Sequence, residues 1–386
     1  MLASHISDHF LRKLDSLEFG SLELVTPDGR QRFFEGKNPG PRASMIVHQW
    51  DVIKNMLSRG DIGFVESYRA GHCETNNLQN LFALALKNES HIKKYLFGSS
   101  AFQMLARLSY LLKLNTIKGS KRNIHAHYDL GNDFYDLWLD PSMTYSSALF
   151  KNGNETLEQA QNNKYDRIIE RLGRDDGSLL EIGCGWGGFA ERAAFKGGFD
   201  MRGITLSEEQ HDFAKQRLGA KADIVLEDYR IQKGKFDNIV SIEMFEAVGE
   251  RYWPIYFNKV KSLMADKGKA VVQTITIDEK HFDRYRCGGD AIRSYIFPGG
   301  MLPSPSRFNR EVEKAGMKVS DEFYFGKDYA KTLELWLNTF DEKQKEIKDL
   351  GFDNSFIRLW RFYLAACIAG FETGRINVMQ AEMEHA

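Results

Sequence analysis

From residue 178 onward the sequence alternates short apolar runs with segments of helical spacing, and this alternation restricts the fold more than any other feature. "SLLEIG", "FDMRGITL", "ADIVLE", "FDNIVSIE" and "GKAVVQTITI" read as strands. "SEEQHDFAKQRLG" and "RYWPIYFNKVKSLMADKG" between them read as helices. Repeated strand–helix–strand units predict right-handed crossovers and a parallel, doubly wound α/β sheet, with ligands at the carboxyl ends of its strands. Further on, "MKVSDEFYF" reads as a late strand, "KTLELWLNTF" and "FIRLWRFYLAACIAGF" as helices, and "RINVMQAEM" as a final edge strand.

The N-terminal part has a different pattern. Residues 20–36 read as a hairpin turning at Pro27-Asp28-Gly29, and "ASMIVHQWDVIKNMLSRG" as one amphipathic helix closed by Gly60. Residues 90–128 contain no Asp or Glu but carry Lys93, Lys94, Arg107, Lys113, Lys118, Lys121 and Arg122, with Phe102, Leu105, Leu108, Leu111, Leu112 and Leu114 among them. That mixture suits either a helix lying among lipid headgroups or a packing helix between domains. The expected division is a smaller α+β domain with a basic, apolar connecting helix at 1–118, and the doubly wound domain at 119–386.

A formal net charge of -1 offers no overall attraction for nucleic acid or anionic lipid, so any such contact falls to a local patch. The four cysteines are widely spaced, which suggests neither a disulfide framework nor a zinc site and fits a reducing cytoplasm. No signal-peptide core or run of about 18 apolar residues occurs. His125 and His127 form an H-x-H pair without a third ligand, so no metal is expected.

The glycine turn "LLEIGCGWGGFA" identifies a ligand. Gly183-Cys184-Gly185-Trp186-Gly187-Gly188 satisfies the dinucleotide pattern G-x-G-x-x-G, but the second strand ends Ile204-Thr205-Leu206-Ser207 without the acid that would hold a nicotinamide ribose. Glu181, two residues before the first glycine, makes the pattern E-x-G-x-G-x-G, which resembles the first motif of class I S-adenosylmethionine-dependent methyltransferases. Backbone bare of side chains lets the methionine and ribose parts approach, and Asp228 in "LEDYR" is placed to accept from the adenine amino group. The loop after the fourth strand, "SIEMFEAVGERYW", lacks the Pro-Pro-Tyr or Pro-Cys pattern of base methylation; Met244, Phe245 and Val248 suggest an apolar acceptor, with Glu246 the ionisable group among them.

Several motifs together resemble the cyclopropane fatty acid synthase and mycolic acid methyltransferase family: "HYDLGNDFYDLWLDPSMTYSSA", "LLEIGCGWGGFA", "GITLSEEQ", "MFEAVG", "YIFPGGMLPS" and "DYAKTLELW". "GDIGFVESYRAGHCETNNL" is similar to the extra N-terminal domain of the full-length bacterial synthases. The resemblance implies a class I methyltransferase fold and S-adenosylmethionine held by Tyr128, Tyr145, Ser146, Gly183, Gly185, Thr205, Ser207, Gln210 and Asp228, and Glu181 and Gly187 of the glycine turn are expected to bind it as well. It implies methyl transfer to a cis double bond of an unsaturated phospholipid acyl chain at the inner membrane face, by a cytoplasmic, peripheral enzyme. A homodimer is left open, and nucleic acid is not a partner.

Ring closure in this family is assigned to a bound bicarbonate held by a Cys, a Glu, a His, an Ile and a Tyr. The corresponding positions here are Ser147, Glu246, Gln273, Ile275 and Tyr329, so the thiol and the imidazole are replaced. Bicarbonate is therefore open, and with it the product: a cyclopropane, or a methylene or methyl-branched chain formed without ring closure. Rivals of another class are a non-catalytic S-adenosylmethionine- or lipid-binding module, which the retained Glu246 and Tyr329 disfavour, and a nicotinamide-dependent reductase.

Overall fold

The computed structural model describes residues 2–112, 115, 116, 119, 120 and 130–386. They form two compact units. The first comprises Met1–Leu112, Asp283–Pro298 and Asp341–Arg375; the second comprises Lys113–Phe282, Gly299–Phe340 and Ile376–Ala386.

In the first unit β1 (Phe19–Val25) and β2 (Gln31–Glu35) form the expected antiparallel hairpin. β3 (Asn38–Val47) runs parallel to β1, and the short β4 (Cys73–Glu74) completes a sheet of order β2-β1-β3-β4. The single helix expected from Ala43 to Gly60 is corrected here. Ala43, Met45 and Val47 are buried on alternate positions, a period of two that belongs to a strand, and the helix begins only at Asp51 (Asp51–Arg59). Helix Asn354–Glu372 is built into this unit, although its sequence position groups it with the doubly wound domain. Phe362 on it meets Phe82 and Phe64 at ring-centroid distances of 5.3 and 6.3 Å, and Arg358 donates to the carbonyl of Tyr68 at 3.0 Å.

The second unit holds a seven-stranded sheet of order β10-β11-β9-β8-β5-β6-β7. Its strands are β5 (Asp176–Ile182), β6 (Gly198–Thr205), β7 (Asp223–Leu226), β8 (Phe236–Ile242), β9 (Met264–Ile277), β10 (Met317–Tyr324) and β11 (Ile376–His385). β7, β6, β5, β8 and β9 are mutually parallel, as the alternation predicts; β11 pairs antiparallel with β9, and β10 antiparallel with β11. β11 is not the edge strand that its terminal position suggests. It lies between β9 and β10, with Val378, Met379, Ala381 and Met383 fully buried. One face of the sheet is covered by helices Leu157–Leu172 and Gly188–Lys196, which pack Ile168, Leu172, Phe189 and Ala193 with Leu179, Val240 and Val271 of the strands. From β5 the chain builds β6 and β7 to one side, then returns to build β8 on the other. The order therefore reverses at β5 and β8, and the crevice outside their carboxyl ends is where a doubly wound sheet binds its ligand.

Candidate active site

Two loops meet at that crevice. After β5, the amides of Gly183 and Cys184 both donate to the carbonyl of Ile204, at 2.9 and 3.0 Å, which pins the glycine turn to the end of β6. Gly183 and Gly185 hold φ of +84° and +52°, the left-handed region that glycine tolerates. A Cβ on Gly183 would come within 2.8 Å of the Met244 side chain in the loop after β8, whereas one on Gly185 would meet nothing within 4 Å. The open space beside Gly185 belongs to a cavity that is also lined by Tyr145, Ser146, Glu181, Thr205, Gln210, Asp228, Glu243, Met244 and Ala247.

Of the expected cofactor residues, Gly187 and Ser207 do other work. A Cβ on Gly187 would press Leu218 at 3.1 Å and Ala214 at 3.2 Å, so the glycine permits helix Gly188–Lys196 to pack on helix Glu208–Leu218. Ser207 is fully buried and caps that second helix, its Oγ accepting from the Gln210 amide at 3.3 Å. Thr205 donates to Gln210 Oε1 at 3.0 Å, fixing the side chain that lines the cavity. Tyr128, His125 and His127 lie outside the described residues.

Asp228 follows β7 at the cavity wall, and its carboxylate accepts from Arg230 at 2.6 and 2.8 Å. Arg230 also donates to the Asn115 carbonyl at 2.7 Å, so the acid is held in one orientation. A carboxylate has about four acceptor positions, and these bonds leave room for a ligand amino group.

Glu181 is buried, and its Oε2 has no hydrogen-bond partner among the described residues. Burial pushes its carboxyl up to about 8, against the attraction of Lys164. Lys164, on helix Leu157–Leu172, is itself fully buried; its Nζ donates to Ser146 Oγ at 2.6 Å and lies 4.2 Å from the Tyr165 ring centre. Burial pushes that ammonium down to about 7, while Glu243, Asp140 and Glu181 pull it back up. A buried acid with an open acceptor, beside a glycine turn with open space, fits a ligand carrying a cationic amino group and a sulfonium. Tyr145 adds an aromatic wall, its ring 5.4 Å from Trp336 and 5.5 Å from Tyr135.

Beside one residue of the cavity wall, Ser147, Gln273, Ile275, Tyr329 and Glu246 come together although they lie on four separate segments. They gather around a residue for which the sequence suggested no role. Glu243 Oε1 accepts from the Ser147 amide at 2.9 Å and from Gln273 Nε2 at 2.8 Å, and its Oε2 accepts from the Tyr329 hydroxyl at 2.5 Å. The Gln273 amide is oriented by Gln380, which donates to its Oε1 at 3.0 Å and in turn accepts from Arg167 at 2.6 Å. Glu246 Oε1 accepts from the Ile275 amide at 2.5 Å, and its Oε2 is buried without a hydrogen-bond partner among the described residues.

The two carboxyls therefore differ. Burial raises both, but Glu243 has three donors and the attraction of Lys164 to favour its charged form. Glu246 is pushed up to about 8 by burial and by the charge of Glu243, with less to oppose the shift. The surroundings therefore favour the charged form at Glu243 more than at Glu246. Glu243 also sits at φ +51°, uncommon for a residue with a side chain. A nonglycine acid directly after β8 was the one sequence signal for it.

Residues 116–381 match the family model described as mycolic acid cyclopropane synthetase. The chain belongs to this family. It is 37% identical over 357 residues to the tuberculostearic acid methyltransferase UfaA1 of Mycobacterium tuberculosis, covering 88% of this chain and 83% of that one. It is 34% identical over 353 residues to the cyclopropane-fatty-acyl-phospholipid synthase of Escherichia coli, covering 89% and 88%. Among solved structures, the mycolic acid cyclopropane synthase CmaA1, complexed with SAH and CTAB, superposes with a TM-score of 0.64 at 31% identity over 68% of this chain and 97% of that one. The chain is thus a class I, S-adenosylmethionine-dependent methyltransferase of the cyclopropane synthase family.

Proposed function

We propose that the protein methylates an unsaturated acyl chain of a membrane lipid at its cis double bond and then removes one proton, so that the chain gains one CH2. The observation that carries this is the continuity of one cavity from the donor-side residues Asp228 and Glu181 to Glu243 after β8, whose carboxylate is held by Ser147, Gln273 and Tyr329. S-adenosylmethionine, when bound, supplies an electrophilic methyl group. Glu181 would hold its amino group, Thr205 and Gln210 its methionine and ribose side, and Asp228 its adenine. Tyr145 and the rings around it would face the positive charge, and Lys164 would hold Ser146 in place. Ser147, Gln273, Ile275 and Tyr329 would fix the carboxyls that receive the proton.

Ring closure is the first reading, since a carboxylate held by the Ser147, Gln273 and Tyr329 donors can take a proton from the transferred methyl. The second is a methylene product, favoured by the serine and glutamine at positions 147 and 273 and by the resemblance to the tuberculostearic acid methyltransferase. Access to lipid would come through helix Ser100–Leu112. Its Met104, Leu105 and Leu108 are more than half exposed, and Lys93 and Lys94 on the preceding helix Glu89–Phe97 are exposed as well. Among the described residues no helix is long and apolar enough to cross a membrane, so the proposed attachment is peripheral.

The test is incubation with S-adenosylmethionine and vesicles of unsaturated phospholipid, followed by mass spectrometry and NMR of the released fatty acids. A product heavier by one CH2 supports the proposal, and NMR separates the ring from the methylene. Absence of methyl transfer to any acyl chain overturns it.

A further inference from the structure

The position of Glu243 bears on the identity of the base. In the family resemblance the residues at 147, 246, 273, 275 and 329 hold a free bicarbonate. In this chain, the Ser147 amide, the Gln273 amide and the Tyr329 hydroxyl all donate to the Glu243 side chain, and the Ile275 amide is taken by Glu246. Those protons cannot serve a second anion at the same time. The seat is occupied by a carboxylate that the chain itself supplies.

We propose that Glu243 is the general base of the reaction, its tethered carboxylate replacing a bound bicarbonate; this rests on the methyl-transfer function proposed above. The geometry gives it the required properties. Glu243 lines the same cavity as Glu181 and Gly185. Two bonds occupy Oε1 and one occupies Oε2, so one acceptor position remains on Oε2. Burial raises its basicity, and the three donors favour its ionised form against that shift.

In the step itself, a C–H bond of the transferred methyl breaks and its electron pair fills the cationic carbon of the acyl chain. The proton goes to Glu243 Oε2, leaving a neutral carboxylic acid that returns it to water when the product leaves. No oxidant, reductant or additional anion is consumed.

Glu243→Gly suits the test because the +51° φ favours glycine, so the substitution relieves the backbone while emptying the seat. Enzyme and buffers are stripped of carbon dioxide, and methyl transfer to unsaturated phospholipid vesicles is measured with and without added bicarbonate. Wild-type turnover is expected to be unaffected by bicarbonate. Glu243→Gly and Glu243→Gln should each lose turnover by about a hundredfold or more, with bicarbonate restoring part of it only in the glycine variant. In parallel, binding of carbon-13 bicarbonate is followed by NMR, with no bound signal expected for wild type and one bound anion for Glu243→Gly. Wild-type turnover that requires bicarbonate, stoichiometric bicarbonate on the wild-type protein, or undiminished turnover of Glu243→Gly without bicarbonate would each overturn the proposal. If wild type transfers no methyl to acyl chains, the function proposed above fails instead, and the NMR binding comparison still decides whether Glu243 fills the anion seat.

Discussion

After β5 the chain turns through glycines and leaves open space; after β8, on the neighbouring strand, it turns through Glu243 and fills it. The proposed donor end is thus made largely by leaving side chains out, with Glu181 an acid whose Oε2 has no partner among the described residues. The acceptor end is made by putting a side chain in, with all its bonds but one supplied by the protein. A site of the first kind specifies a ligand. A site of the second kind specifies a reaction, because the proton acceptor is fixed before any substrate binds.

Changes at the two ends should therefore separate in kinetics. The largest effect is expected for Tyr329→Phe, which removes the 2.5 Å bond to Glu243 Oε2. Turnover should fall about a hundredfold, with the dissociation constant for S-adenosylmethionine unchanged by calorimetry. A matching loss of donor affinity would break the comparison.

Next is Glu181→Gln, which removes the unpartnered buried acid. It should weaken donor binding by about tenfold to a hundredfold and leave turnover at saturating donor within a few-fold of wild type. A collapse of saturated turnover with donor affinity intact would place Glu181 in the chemistry and merge the two ends.

The pH dependence of binding sharpens the same contrast. The Glu181 carboxyl, pushed up to about 8 by burial, is protonated below that pH, while a cationic ligand needs it ionised. Donor affinity should therefore rise with pH up to about 8, by at most about tenfold per unit, and binding at pH 7 should release protons. Lys164, held down to about 7, opposes part of the trend by losing its charge over the same interval. Calorimetry in buffers of different ionisation enthalpy reads the released protons, and proton uptake would contradict the assignment.

The smallest effect concerns neither end. Leu105→Ser on helix Ser100–Leu112 should lower vesicle binding by several-fold, about 1 kcal/mol, with donor affinity unchanged. Unaltered sedimentation with vesicles would remove that helix from the lipid contact.

What could be read in the sequence follows the range of the interactions. The doubly wound sheet and the glycine turn are written in short contiguous patterns, as are the hairpin at β1 and β2 and the acid after β7. β3 was misread as helix because its inward Ala43, Met45 and Val47 run directly into the helix that begins at Asp51. The interior place of β11 depends on pairing with strands about 60 and 110 residues away. Glu243 lay in full view in "SIEMFEAVG", but its role depends on donors at positions 147, 273 and 329. Lys164 and Arg230 were silent for the same reason: a lysine inside a helix and an arginine beside an acid are usually solvated, and only the packing shows Lys164 buried and Arg230 committed to Asp228.

The central claim is that a fixed carboxylate faces the methyl group after transfer. It is tested most directly by supplying S-adenosylmethionine with a trideuterated methyl, together with unsaturated phospholipid vesicles, and counting the deuterons in the product fatty acid by mass spectrometry. Two deuterons retained per added carbon are predicted, since Glu243 takes the third. Retention of all three would mean that the proton leaves from the acyl chain instead, and would contradict the account.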